Sequence, residues 1–232
     1  MTGGKGPGQG SPGTSRRGPA TILPGAVSHC WDHLVITLRD AAGNETAFVS
    51  IYGIAYSASL GAGHVAIVEV AEAGGGTGRP GGPPDVPGGP LRAVLTDDLG
   101  LGARQIARLR GMGDGRAALL TAPRLATFRR VPFDATGFGF DIDTDGYQIE
   151  ARWLDPGQPM WVDGRDGGFS DAEDIWAMFV GAPRARVMVN GVAAPGEPFQ
   201  DDQWRPMLRR AFSSAHAAFA EVRVEPDRTP GD

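Results

Sequence analysis

The stretch FDIDTDGYQIEARW, Phe140–Trp153, decides how the middle of the chain folds. Asp141, Asp143, Asp145 and Gly146 match the opening of a calcium-binding EF-hand loop, which takes acids at positions one, three and five and glycine at six. The match then fails. Gln148 stands where a hydrophobe is needed, and Arg152 stands where the bidentate glutamate belongs. The flanks also lack helical periodicity, so no metal site is expected here. A hairpin fits better. Asp145-Gly146 suits a two-residue type I′ turn, in which both residues take positive φ. That turn pairs Thr144 with Tyr147, Asp143 with Gln148, Ile142 with Ile149, Asp141 with Glu150, Phe140 with Ala151 and Phe138 with Trp153. One face of the ribbon then carries Phe138, Phe140, Ile142, Tyr147, Ile149, Ala151 and Trp153. The other carries Asp141, Asp143, Gln148, Glu150 and Arg152. A period of two this clean is what a half-buried antiparallel ribbon requires.

Working outward, the chain has 232 residues, 36 of them Gly and 19 Pro. The Gly/Pro excess concentrates in two stretches. Residues 1–28 read as a disordered tail with no apolar run, hence neither a signal peptide nor a spanning helix. Residues 71–90 read as a flexible loop inside a domain running from 29 to 226, and 227–232 as a disordered end. What remains, roughly 190 residues, suits one medium-to-large core. The net charge of -5 and pI near 5.4 argue against general nucleic-acid binding. Cys30 is the single cysteine, which leaves no intramolecular disulfide and no Cys-rich zinc site. Nothing demands an oxidising compartment, and we expect a cytoplasmic protein without membrane insertion. A homodimer is left open. Lys5 is the only lysine. Asn44-Glu45-Thr46 fits a glycosylation acceptor but lacks a secretion signal beside it.

Further strands are expected at 33–39, 46–54 and 64–70, then at 91–95, 126–131, 159–162, 174–180 and 216–224. Asn190-Gly191, flanked by Val187, Val189, Val192 and Ala194, is a second hairpin turn. GLGARQIARLRG, Gly100–Gly111, reads as either a helix or a strand. A helix is expected near 202–212, its start limited by Pro206. The whole reads as an all-β chain, a single antiparallel β-barrel of the lipocalin or calycin kind with one or two short helices.

Candidate chemistry is sparse. Asp141 opposite Glu150 brings two carboxylates within about 5 Å between β carbons. Such a pair serves a glycosidase, or lies on a solvated face with Arg152 relieving the repulsion. His29, His33, His64 and His216 form no recognisable metal motif. GGGTGRPGG and GMGDG lack the residues and context of a phosphate loop, and there is no GxSxG elbow. The aromatics are more suggestive, because Trp31, Tyr52, Tyr56, Tyr147, Trp153, Trp161, Trp176 and Trp204 fall on or beside strands. Phe48, Ser50, Tyr52, Ile54 and Tyr56 share one strand face, and His64, Ala66, Val68 and Val70 share one face of the next. If both turn inward, they line an apolar cavity with two phenols and an imidazole.

WDHLVITLRDAAGNETAFVSIYG, Trp31–Gly53, resembles the opening hairpin of the carotenoid hydratase and AttH-like lipocalin-type family. RARVMVNGVAAPGEPFQDDQW, followed by AFAEVRVEP, resembles the close of such a domain. The resemblance covers under half of the chain. It implies a barrel with an apolar cavity, and an activity like that of family pericyclases that fold linear polyketide chains into rings, [4+2] cyclases among them. Such an enzyme needs no cofactor. Orientation of the reacting ends carries the rate, worth as much as ~7–11 kcal/mol, and a phenol from Tyr52, Tyr56 or Tyr147 activates a carbonyl. The apolar substrate would meet Trp31, Phe48, Ser50, His64, Phe138, Phe140, Trp153 and Trp176. Two other readings stay open: a lipocalin-like carrier without turnover, and a jelly roll that binds or cleaves carbohydrate.

Overall fold

The computed structural model describes residues 26–71, 90–113, 115–163 and 173–224. The expected tail at 1–28, the loop at 71–90 and the end at 227–232 lie almost wholly outside them. The elements are β1 (Ala26–Arg39), β2 (Glu45–Ser57), β3 (Gly63–Val70), β4 (Leu91–Thr96), α1 (Leu99–Gly111), β5 (Arg124–Val131), β6 (Gly137–Thr144), β7 (Tyr147–Leu154), β8 (Met160–Asp163), β9 (Glu173–Gly181), β10 (Arg184–Val189), β11 (Val192–Ala193), β12 (Gln200–Asp201), α2 (Arg205–Leu208), β13 (Phe212–Ser213) and β14 (Ala215–Val224). The protein is therefore all-β with two helices. GLGARQIARLRG resolves to helix, and the expected helix near 202–212 shrinks to the four residues of α2.

Twelve strands form one sheet, in the order β11-β10-β7-β6-β5-β4-β3-β2-β1-β14-β9-β8. Its pairs are antiparallel except β4 with β5, where Leu95 and Thr96 lie parallel to Arg124 and Leu125. A parallel pair needs a crossover of a dozen or more residues, and α1 supplies it. Among the described residues no ladder joins β11 to β8, so the sheet is not closed into a ring by hydrogen bonds. It curls instead. Trp153 on β7 donates its indole N–H to the Val35 carbonyl of β1 at 2.8 Å, although the two strands are far apart in the order.

The Phe140–Trp153 stretch is the β6–β7 hairpin in the expected register, Phe138 on Trp153 through Thr144 on Tyr147. Its turn differs from expectation. Gly146 has φ +91°, but Asp145 is not among the non-glycine residues with positive φ, so the turn is not type I′. The Asn190-Gly191 turn between β10 and β11 does take positive φ at both residues, 50° and 79°, as a type I′ turn requires.

Alternation gives the β1–β4 and β14 region two apolar faces. On the core face, Leu34, Ile36, Val49, Ile51, Ala66, Val68 and Ala217 meet Phe138, Phe140, Ile142, Ile149 and Trp153 from the curled-over half. Phe138 and Trp153 stack there at 5.3 Å. The space where the sequence suggested a hollow is occupied by these bulky rings, nearly all of them fully buried. On the opposite, helix-side face, Trp31, Ile54, Val65, Ile67, Val94, Ala218 and Phe179 pack beneath α1.

Helix α1 is fixed at several points. Asp98 caps it by accepting from the Leu101 amide at 2.7 Å, which satisfies an otherwise orphan donor. Arg104 donates to the Leu60 carbonyl at 2.7 and 3.2 Å, and Arg110 to the carbonyls of Ala117 and Leu120, both at 3.0 Å. Gly102 lets the helix lie close to its neighbours, because a Cβ there would come within 2.8 Å of Pro123 and 2.9 Å of Thr96. Arg108 and Arg110 in the last turn complement the helix dipole.

Candidate small-molecule pocket

A cavity of about 260 Å³ lies between α1 and the helix-side face. From the sheet come Trp31 and His33 of β1, Tyr52 of β2, Ile175, Ala177 and Phe179 of β9, and Ala218 and Ala220 of β14. They converge because the registers set His33 opposite both Tyr52 and Ala218, and Ala218 opposite Phe179. The helix contributes Gln105, Arg108 and Leu109, with Met112 just past its end, and the spacing places them on one side of α1. Trp204, just before α2, closes one wall.

The polar groups are well defined. His33 Nε2 lies 2.9 Å from Ser50 Oγ, and its ring stacks on Tyr52 at 4.2 Å with the planes 8° apart. Burial, with a smaller contribution from nearby His216, pushes its pKa down to about 3, so the imidazole is neutral at physiological pH. Burial also lowers His216, to about 4, against the opposing pull of the Ser213 carbonyl and Asp201. Trp204 donates to His216 Nε2 at 2.8 Å, so Nδ1–H donates to the Ser213 carbonyl at 2.9 Å. This chain holds the Trp204 wall in place.

Gln105 is the exception. It is 1 % exposed, and neither its carbonyl oxygen nor its amide nitrogen has a protein hydrogen-bond partner. Leaving a buried polar group unpaired costs about 1–3 kcal/mol, and such groups in native proteins call for an explanation. Arg108 sits with its guanidinium 4.8 Å from the Trp31 ring centroid.

Of the residues expected to form a site, Trp31 and Tyr52 line this cavity, and Ser50 reaches it through His33. The rest lie elsewhere. Phe48 shares the face of Tyr52 but sits under Arg116, 4.0 Å from its ring centroid. Tyr56 follows a bulge that pairs Trp31 with Ile54 and Cys30 with Tyr56, and it is half exposed. His64 does not share a face with Tyr52. The register opposes Tyr52 to Val65, which turns His64 the other way, where it stacks on Phe128 and meets Asp97 at 2.8 Å. Phe138, Phe140 and Trp153 fill the core face, and Tyr147 packs against that core. Trp176 points away from the cavity-lining Ile175 and Ala177 and stacks in the open on Trp161 at 5.0 Å. Asp141 and Glu150 are opposed as expected, but Asp141 is held by Arg129 and Arg152, and Arg152 also meets Glu150 at 3.2 Å. Among the described residues no His, Cys, Asp and Glu cluster could hold a metal, and no helix is long and apolar enough to cross a membrane.

Gln105, Arg108 and Phe179 did not emerge from the sequence as site residues, and Trp204 stood out only as one of the aromatics on or beside strands. The signal for the first two was the spacing of Leu101, Gln105, Arg108, Leu109 and Met112, which reads as one helical face once α1 is accepted as a helix. Phe179 reaches the pocket through the register of β9 on β14, and Trp204 through its position just before α2, neither of which a local pattern reveals.

No protein family and no curated protein matches the chain, and the resemblance to carotenoid hydratases finds no family match. Among solved structures it is similar to acetoacetate decarboxylase from Legionella pneumophila, at 9% identity and a TM-score of 0.38, over 91% of this chain and 90% of that one. A likeness at that level supports no conclusion about fold or activity.

Proposed function

We propose that the protein is a host for a small, largely apolar molecule bearing one hydrogen-bonding group, taken up between α1 and the helix-side face of the sheet. The observation that carries this reading is Gln105, a fully buried amide without a protein partner on the wall of a cavity otherwise lined by Trp31, Leu109, Ile175, Phe179 and Trp204. Ligand pockets commonly combine apolar walls with a few placed polar groups, in volumes of ~300–1,000 Å³. At about 260 Å³ this one suits a compact molecule such as a substituted bicyclic aromatic. The test is a tryptophan-fluorescence titration with 2-naphthamide, using wild type and Ala218→Leu. Ala218 is buried on the cavity wall, and the larger side chain occupies part of the space. We expect saturable binding to wild type and at least a ~tenfold loss in the variant. Equal affinity in both would reject this cavity as the place of binding.

A catalytic version of the same reading is favoured by one observation, that Tyr52 and Gln105 line one cavity. Two donors on a single carbonyl, inside walls that orient a folded chain, are what a cofactor-independent cyclase uses. The volume restricts such a substrate to a short chain rather than an extended polyketide. Tyr52→Phe separates the versions. A cyclase loses turnover while keeping ligand affinity, whereas a carrier has no turnover to lose.

A further inference from the structure

The charges around the pocket narrow its occupant further, on the premise that the pocket is a binding site. Arg108 is half-buried, and its guanidinium makes a cation–π contact with Trp31 but has no carboxylate partner among the described residues. By contrast, Arg92, Arg129, Arg130, Arg152, Arg184 and Arg223 on the sheet, and Arg116 after α1, each meet an Asp or Glu. No Asp or Glu is among the described residues lining the cavity. His33, held neutral by burial, adds no second cation.

A partly desolvated arginine without a counter-charge is costly, because water is lost from the cation and nothing replaces it. Arg108 and Met112 also border a second, more open depression shared with His29, Ser59 and Leu60, which places them at the rim of the cavity. Gln105 stands one helical turn away on the same side, as i, i+3 neighbours do. The unpaired Gln105 amide and the Arg108 guanidinium therefore line the same cavity as the apolar Ile175 and Phe179. A carboxylate accepts from both kinds of donor and supplies the missing charge, and charge-assisted bonds of this type are the strong ones.

We infer that the molecule bound here is a small aromatic or alicyclic monocarboxylate, its carboxylate held by Arg108 and Gln105 and its ring lying between Trp31 and Phe179. The ring would remain in apolar surroundings while the acid group takes the polar end.

The test compares a matched pair, 2-naphthoate and 2-naphthamide, near neutral pH by isothermal titration calorimetry. The two share a ring system and differ in charge. With wild type we expect the acid to bind about tenfold more tightly, about 1.4 kcal/mol. Arg108→Gln should erase that preference, weakening the acid about tenfold more than the amide, whereas Arg108→Lys should retain part of it. Circular dichroism of each variant establishes that it is folded, and the wild-type comparison stands without any variant. Equal or weaker binding of the acid, with the amide still binding, would overturn the monocarboxylate and leave the host reading intact. If neither compound binds, the host reading falls and this inference falls with it.

Discussion

The two faces of the same strands have been put to different uses. On the core face of β1–β4 and β14 the apolar side chains meet bulky residues from β6 and β7, and the buried Trp153 indole has its acceptor. On the helix-side face the cover is α1 together with Trp204 and the α2 segment, and there lie a void, a pair of neutral histidines, and an amide without a protein partner. Close packing raises stability and leaves no room for a guest. Incomplete packing around polar groups lowers stability and makes recognition possible. The contrast is one of density: the first face is packed solid, and the second is where the proposed guest would sit.

Substitutions should break that contrast in a definite order. Trp153→Ala on the core face should have the largest effect, about 3–5 kcal/mol lost in urea unfolding, as for other aromatic deletions from a packed interior. Acid comes next and acts on the other face. His33 and His216 titrate at about 3 and about 4 when folded, against about 6.5 when unfolded. The unfolded chain therefore binds more protons in this window, and stability falls as the pH drops below about 6.5, by about 1.4 kcal/mol per pH unit for each histidine. Urea midpoints measured between neutral and mildly acidic pH check this, and His216→Gln should remove about half of the slope. The turn residues come third. Gly191→Ala should cost about 1 kcal/mol, because alanine resists φ of +79°. Gln105→Leu should have the smallest effect on stability, within about 1 kcal/mol and in the stabilising direction if the leucine packs, since it removes an amide that has no partner in the protein. The same variant should lose ligand affinity, whereas Gly191→Ala should keep it.

How much of this was readable beforehand follows the range of the interactions. The β6–β7 ribbon was legible to the residue, because its register depends on neighbours in the chain and on strict alternation through Ile142 and Ile149. Its turn type was not. Asp145-Gly146 and Asn190-Gly191 look alike in sequence, yet only Asn190 adopts the left-handed conformation, which asparagine tolerates better than most residues. The pocket was only half legible. Tyr52 and Ser50 stand out by alternation along β2, and Trp31 as an aromatic beside a strand. His64 was assigned to the wrong side because facing between strands depends on register, and the β2–β3 register shifts it by one residue. Gln105 and Arg108 stayed hidden while α1 was ambiguous, since its glycines at 100 and 102 weaken the helical signal. Gly102 is there because Thr96 and Pro123 crowd it, a reason that exists only in three dimensions.

The claim on which everything else rests is that the guest lies beneath α1 and not inside the curled sheet. A crystal structure of the protein soaked with 2-naphthoate addresses it directly. We predict density for the ring beside Trp31 and Phe179, with the carboxylate within hydrogen-bonding distance of Arg108 and Gln105. Density among Trp153, Phe140 and Ile36, with the space under α1 unchanged, would contradict the account.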